Sequence, residues 1–224
     1  MARFAITDIH GCLKTFRNLL EDKLQVSKRD SVYLLGDYVD RGPDSKGVLD
    51  YIMNLQKKGY KIEGLRGNHE DMMVKSLFGE GQKQHWFRNG GRATMASFKV
   101  ENPKDIQPRY FDFIDSLNYF FELDDYLLVH AGFNFKNENI FEDKEYMLWT
   151  RNHRPKKEML GGKKVVHGHT PITQLTLSRQ FKNGQTLDIN LDNGCVYQND
   201  GYNHLVALNL DNLELTFQEN IDLE

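Results

Sequence analysis

Cysteine is scarce: only Cys12 and Cys195 occur in 224 residues, too few to staple a chain of this length. A disulfide scaffold is excluded, and a reducing cytoplasm is the expected compartment. Proline is scarce too, with five residues and none in a Pro/Gly/Ser linker. No segment repeats at a solenoid-like period, and no tract is of low complexity. Apolar runs are short, far below the roughly 18–20 residues that span a bilayer. The opening Met1-Ala2-Arg3-Phe4-Ala5-Ile6-Thr7-Asp8 meets an acid too soon for a signal peptide. Positive charge is not in excess: 29 Lys plus Arg against 32 Asp plus Glu leave a formal −3. That sign disfavours a surface built to hold nucleic acid. What remains is a globular chain with no membrane and no nucleic-acid partner, expected as one domain over 1–224 and as a monomer.

Three stretches follow one another. In the first, Phe4-Ala5-Ile6, Val32-Tyr33-Leu34-Leu35 and Lys61-Ile62-Glu63-Gly64-Leu65 read as buried strands. Between them, Leu13, Phe16, Leu19, Leu20 and Leu24, and then Val48, Leu49, Ile52, Met53 and Leu55, recur at helical spacing. A β-α-β-α-β order predicts parallel strands with right-handed crossovers. The second stretch, about 71–125, is mainly helical, its Met and aromatic residues serving as core. The third returns to strands at Tyr126–Val129, Lys164–Val166, Thr186–Leu191, His204–Leu210 and Leu213–Phe217, with Asp211-Asn212 as a hairpin turn. An antiparallel sheet facing the first, parallel one is the simplest assembly.

Polar residues gather where these strands end: Asp8, His10, Asp37, Asp40, Asn68, His69, His130 and His169. In parallel sheets ligands sit beyond the carboxyl ends of strands. Asp8 and His10 are two apart, so on an extended backbone both side chains point the same way. Carboxylate, amide and imidazole suit Mn, Fe or Zn, and no thiolate takes part. With Asp37, Asn68, His130 and His169 they make six donors, about right for two ions sharing one carboxylate. A single Asp or His at a strand end is more often a cap or turn residue. Six at successive ends, buried without a cation, would form a costly unpaired polar cluster.

The runs Asp8-Ile9-His10-Gly11, Gly36-Asp37-Tyr38-Val39-Asp40-Arg41-Gly42, Gly67-Asn68-His69-Glu70, His130-Ala131-Gly132 and Gly168-His169-Thr170-Pro171 resemble the signature of the calcineurin-like metallophosphoesterase superfamily, and within it the phosphoprotein phosphatases. His85-Trp86-Phe87-Arg88-Asn89-Gly90-Gly91, Leu148-Trp149-Thr150-Arg151 and Leu191-Asp192-Asn193-Gly194 extend the likeness, which runs from about residue 4 to 210. It implies an α+β fold, a β-sandwich flanked by helices in four layers, α/β/β/α. It implies two divalent metal ions, Mn first, with Fe or Zn compatible. Asp8 and His10 match ligands of the first ion, Asp37 the bridging ligand, and Asn68, His130 and His169 ligands of the second. His69 matches the general acid, held protonated by Asp40. Arg41 and Arg151 match a phosphate clamp, with Asn68 able to touch phosphate through its amide. His167 matches no ligand position and reads as strand packing. The chemistry implied is direct attack on phosphorus by a metal-bridging hydroxide, with no phospho-enzyme.

Two activities compete within that resemblance. One is a serine/threonine-type protein phosphatase or other phosphomonoester hydrolase. The other is a nucleotide hydrolase similar to the symmetrical diadenosine tetraphosphatases, which lack the acid-orienting Asp that this chain keeps as Asp40 and carry a longer insertion. A catalytically silent metal-binding scaffold is the third reading, and no ligand position in the sequence has degenerated to support it.

Overall fold

The computed structural model describes residues 1–181 and 186–223. The first sheet contains β1 (Arg3–Ile6), β2 (Ser31–Leu34) and β3 (Lys61–Gly64), with α1 (Leu13–Asn18) and α2 (Ser45–Lys57) in the crossovers. Asp44 caps α2 by accepting from the Gly47 N–H at 2.8 Å, while Val48, Leu49, Ile52 and Leu55 form its buried stripe. Four helices follow, α3 (Asn68–Lys75), α4 (Glu80–Trp86), α5 (Arg92–Phe98) and α6 (Pro108–Asp115). The second sheet is built from β4 (Phe120–Glu122), β5 (Tyr126–Val129), β6 (Lys164–His167) and β7 (Asp188–Asn190), with α7 (Lys144–Trp149) and α8 (Gln174–Arg179) between its strands. The chain closes with β8 (His204–Asn209) and β9 (Leu215–Glu219).

Strand order is β3-β2-β1-β8-β9 in one sheet and β4-β5-β6-β7 in the other. This corrects the expectation of one parallel and one antiparallel sheet. β8 runs antiparallel to β1, Phe4 opposite Asn209, so the hairpin through Asp211-Asn212 extends the first sheet. β5, β6 and β7 are parallel to one another, and only β4 opposes them. The physical reason is simple. Period-two alternation reports that a strand has one covered face, and either sheet offers such a face. The helices between β5, β6 and β7 supply the long crossovers that parallel pairing requires.

Alternation along each strand divides the core into layers. Ala5, Tyr33, Leu35, Leu65 and Leu208 from the first sheet meet Tyr126, Leu128, Val166 and Ile189 from the second. Phe4, Ile6, Val32 and Leu34 point the other way, into the helices with Phe16, Leu49, Met73 and Trp86. Leu127, Val129 and Val165 face Phe133, Ile140 and Met147 on the far side. The four-layer α/β/β/α sandwich implied by the resemblance is therefore present. No helix among the described residues is long and apolar enough to cross a membrane.

Candidate metal centre

Five parallel strands, β1, β2, β3, β5 and β6, end at one edge of the sandwich. The loops leaving them carry Asp8 and His10, Asp37 to Arg41, Asn68 and His69, His130, and His169. Backbone hydrogen bonds stitch these loops together: His10 N–H to Asp37 O, Gly11 N–H to Tyr38 O, and Gly168 N–H to His130 O, each 2.8 Å. Ten non-glycine residues among those described have positive φ, and six are Asp8, His10, Asp37, Asp40, Arg41 and His169. Such conformations cost of order 1–3 kcal/mol each and persist only where the surroundings over-determine them. At Gly36, φ +100°, an added Cβ would lie 2.7 Å from the Gly67 backbone, so glycine lets the β2 and β3 loops touch.

Three donors converge around one point. His130 Nε2 is 2.9 Å from Asn68 Oδ1 and 3.2 Å from His169 Nδ1, and His169 Nδ1 is 2.9 Å from Asn68 Oδ1. Asp37 Oδ1 adds a fourth donor 3.5 Å from His130 Nε2. His130 donates its Nδ1–H to Leu35 O at 2.9 Å, which leaves Nε2 a bare lone pair. Lone pairs meeting at these distances call for a cation. Ligands of a tetrahedral ion with bonds of about 2.0–2.1 Å stand roughly 3.3 Å apart. The residues present therefore fit a metal ion.

A second group shares Asp37. The ligand atoms of His10, Asp37 and His69 lie within 4.8 Å of one another, as do those of Asp37, His130 and His169. His10 donates Nδ1–H to Val39 O at 2.9 Å, so its Nε2 also faces inward unprotonated. Asp8 stands to one side, accepting from the His169 N–H at 3.1 Å and from the Thr7 hydroxyl.

The electrostatics agree. Burial, then the neighbouring Asp8 and Glu70 carboxylates, pushes the Asp37 carboxyl well above the usual range. Burial, then Asp8, does the same to Asp192. Burial, then the Arg41 guanidinium, holds His10 and His69 well below the ordinary imidazole range. Burial, then His130, holds His169 at about 2. Crowded acids among neutral imidazoles are what divalent cations stabilise.

His69 and Asp40, expected from the resemblance to act together, are in direct contact. His69 Nδ1 lies 2.7 Å from Asp40 Oδ2, and both are buried. Trp86 Nε1–H and the Thr94 hydroxyl also donate to Asp40, at 2.9 and 2.6 Å. Burial raises Asp40 to about 7 against these donors. Burial thus works against the charged His69 that the resemblance implies, lowering the imidazole and raising its carboxyl partner. Arg41 reaches the centre, Nη1 2.8 Å from His10 Nε2 and Nη2 3.0 Å from His69 Nε2. Arg151 is exposed at the rim, close enough for its charge to lower His169 further.

Sequence reasoning missed Glu70, which is fully buried. Its carboxylate accepts from the Tyr38, Asp37, Gly67 and Val39 N–H groups at 2.7, 2.8, 2.9 and 3.2 Å, fastening the β2 loop to the start of α3. The signal was its place directly after Gly67-Asn68-His69, where a run of polar residues enters a helix. Glu70→Gln turns an amide donor toward backbone donors. We expect a loss of about 1–3 kcal/mol, read as a fall in the midpoint of denaturant unfolding. An unchanged midpoint would deny Glu70 this role. The sequence places Trp86 in the core and gives Thr94 no role, because their bonds to Asp40 span 46 and 54 residues.

Residues 2–203 match the family model of the calcineurin-like phosphoesterases, and the chain belongs to that family. Among characterised proteins it is similar to the symmetrical bis(5'-nucleosyl)-tetraphosphatase of Buchnera aphidicola subsp. Schizaphis graminum, 37% identical over 89 residues, 39% of this chain and 32% of that protein. The corresponding protein of Nitrosomonas europaea is 31% identical over 132 residues, 59% of this chain and 45% of that one. The chain thus spans less than half the length of these two relatives. In fold it is similar to a metallophosphoesterase from Sphaerobacter thermophilus, with TM-score 0.59, 19% identity, and 98% of this chain and 87% of that chain covered. A protein serine/threonine phosphatase from Saccharomyces cerevisiae gives TM-score 0.60 at 16% identity, covering 100% of this chain and 81% of that one.

Proposed function

We propose that the protein hydrolyses phosphomonoesters with two divalent metal ions, manganese first among them, as a serine/threonine-type protein phosphatase. The observation that carries this reading is the buried His69–Asp40 pair at 2.7 Å. A serine alkoxide is a poor leaving group and needs a proton as the ester bond breaks.

Asp8, His10 and Asp37 would hold one ion, and Asp37, Asn68, His130 and His169 the other. Bound there, the pair supplies Lewis acidity and acidified water. The chain's own residues do the rest. The Arg41 fork, already aimed between His10 and His69, engages phosphoryl oxygens, and Arg151 closes on them from the rim. Asn68 offers its amide hydrogens to the same phosphoryl group. His69 gives the departing oxygen a proton from Nε2, while Asp40 on Nδ1 fixes the ring's direction and steadies the proton between them. Trp86 and Thr94 hold Asp40 in turn.

A second reading rests on the tetraphosphatase relatives: cleavage of a dinucleoside polyphosphate. There the leaving group is a phosphate chain, acidic enough to depart with less help from His69. Both readings are tested by assaying purified protein with Mn²⁺, Fe²⁺ or Zn²⁺ on a phosphoserine peptide, an aryl phosphate and diadenosine tetraphosphate. Turnover of the first two supports phosphomonoester hydrolysis. Turnover of the dinucleotide alone moves the assignment to the second reading, and no turnover with any ion rejects both.

A further inference from the structure

Outside the catalytic edge, a second, partly buried cluster of ligating side chains has no part in the chemistry above. His153 follows α7, His167 ends β6, and Asp188 opens β7. Their ligand atoms lie within 4.8 Å of one another. His153 Nε2 is 3.0 Å from Asp188 Oδ1, and His167 Nε2 is 3.2 Å from the same oxygen. The two rings stand edge to face, with centroids 4.7 Å apart.

Direct hydrogen bonding does not account for this cluster. His153 Nε2 and Asp188 Oδ1 are both buried, and neither has a hydrogen-bond partner despite their short separation. At 3.0 Å the two atoms stand at hydrogen-bond distance without hydrogen-bond geometry. His167 places Nδ1 3.1 Å from Gly168 O, to which it donates, so in the neutral ring Nε2 is a lone pair facing a carboxylate oxygen. His153 Nδ1 accepts from the Phe133 N–H only at 3.4 Å, so the ring gives up this long contact and carries its proton on Nδ1 when Nε2 takes an ion. The separations of 3.0 and 3.2 Å are close to the roughly 3.3 Å expected between ligands of one tetrahedral ion.

We propose that His153, His167 and Asp188 bind a third metal ion, of the transition-metal class that favours imidazole with carboxylate, Zn²⁺ among them. The donor set leaves a coordination position for water, and Asp188, 36% exposed in its side chain, provides the way in. The role is structural. The ion ties the segment after α7, which carries Arg151 two residues before His153, to β6 and β7 on the outer face of the second sheet. His167, which the sequence reading assigned to strand packing, becomes a ligand.

The test uses the full chain. After dialysis against Zn²⁺ and removal of free ion, metal analysis should find three ions per chain in the wild type. Asp188→Asn and His153→Gln should each hold two, while Asp37→Asn should keep the third ion. Metal content in both Asp188→Asn and His153→Gln equal to that of the wild type would overturn the proposal. Should the variants not fold, the imidazole proton resonances of His153 and His167 in the wild type decide. They shift on Zn²⁺ addition if the site is real, and stay unmoved if it is not. Failure of the dinuclear centre alone gives a different pattern: an ion that Asp188→Asn removes and Asp37→Asn does not.

Discussion

Asp37→Asn is expected to strip both catalytic ions, because this one carboxylate faces His10 and His69 on one side and His130 on the other. Loss of an outer-shell partner of a metal ligand typically costs 10–100-fold in affinity. Loss of a carboxylate that touches both ions should exceed that for each ion, and turnover should fall at least as far as on loss of a general acid, roughly 10²–10⁴-fold. The apoprotein should respond in the opposite direction. Asp37 is pushed upward by burial, Asp8 and Glu70, so its ionised form opposes folding, and more so as pH rises. The metal-free variant should therefore unfold at or above the wild-type temperature at pH 7, while the metal-loaded wild type outlasts both. Equal metal content in wild type and variant would deny Asp37 its bridging place.

His69→Asn is expected to keep the metals and lose the rate. The loss should be about 10²–10⁴-fold on a phosphoserine peptide and smaller on an aryl phosphate, whose leaving group departs more readily without a proton. The structure makes this a sharp test, because His69 sits in the same trio as His10 and Asp37 and could serve as a ligand by proximity alone. A fall in metal content matching the fall in rate would make His69 a ligand. An equal loss on both substrates would remove the acid role. Its bond to Asp40 favours the acid, since an imidazole held by a carboxylate is oriented to deliver a proton from its other nitrogen.

Most of the site was legible because its residues come in short runs at strand ends. Asp8 and His10 share one turn, and Asp37, Asp40 and Arg41 another, so local spacing announced them. The structure brings them together with Asn68, His69, His130 and His169, and leaves Arg151 at the rim. What the sequence concealed lies in contacts between distant residues. Trp86 looks like any core aromatic until its indole N–H meets Asp40. Glu70 has the look of a first-turn helix acid, and only folding shows it collecting N–H groups from the neighbouring loop. His153 is separated from His167 and Asp188 by strand and loop, and no pattern in the chain pairs them. The sheet pairing of β8 and β9 was hidden for a related reason: alternation shows that a strand has a covered face without naming its neighbour.

Two cations meeting at Asp37 are the centre of the proposed chemistry. Crystals grown with Mn²⁺ and measured at the manganese absorption edge test this most directly. We expect two anomalous peaks roughly 3.5–4 Å apart, with Asp37 between them, His10 on one side, and Asn68, His130 and His169 on the other. A single peak, or two that do not share Asp37, would contradict it.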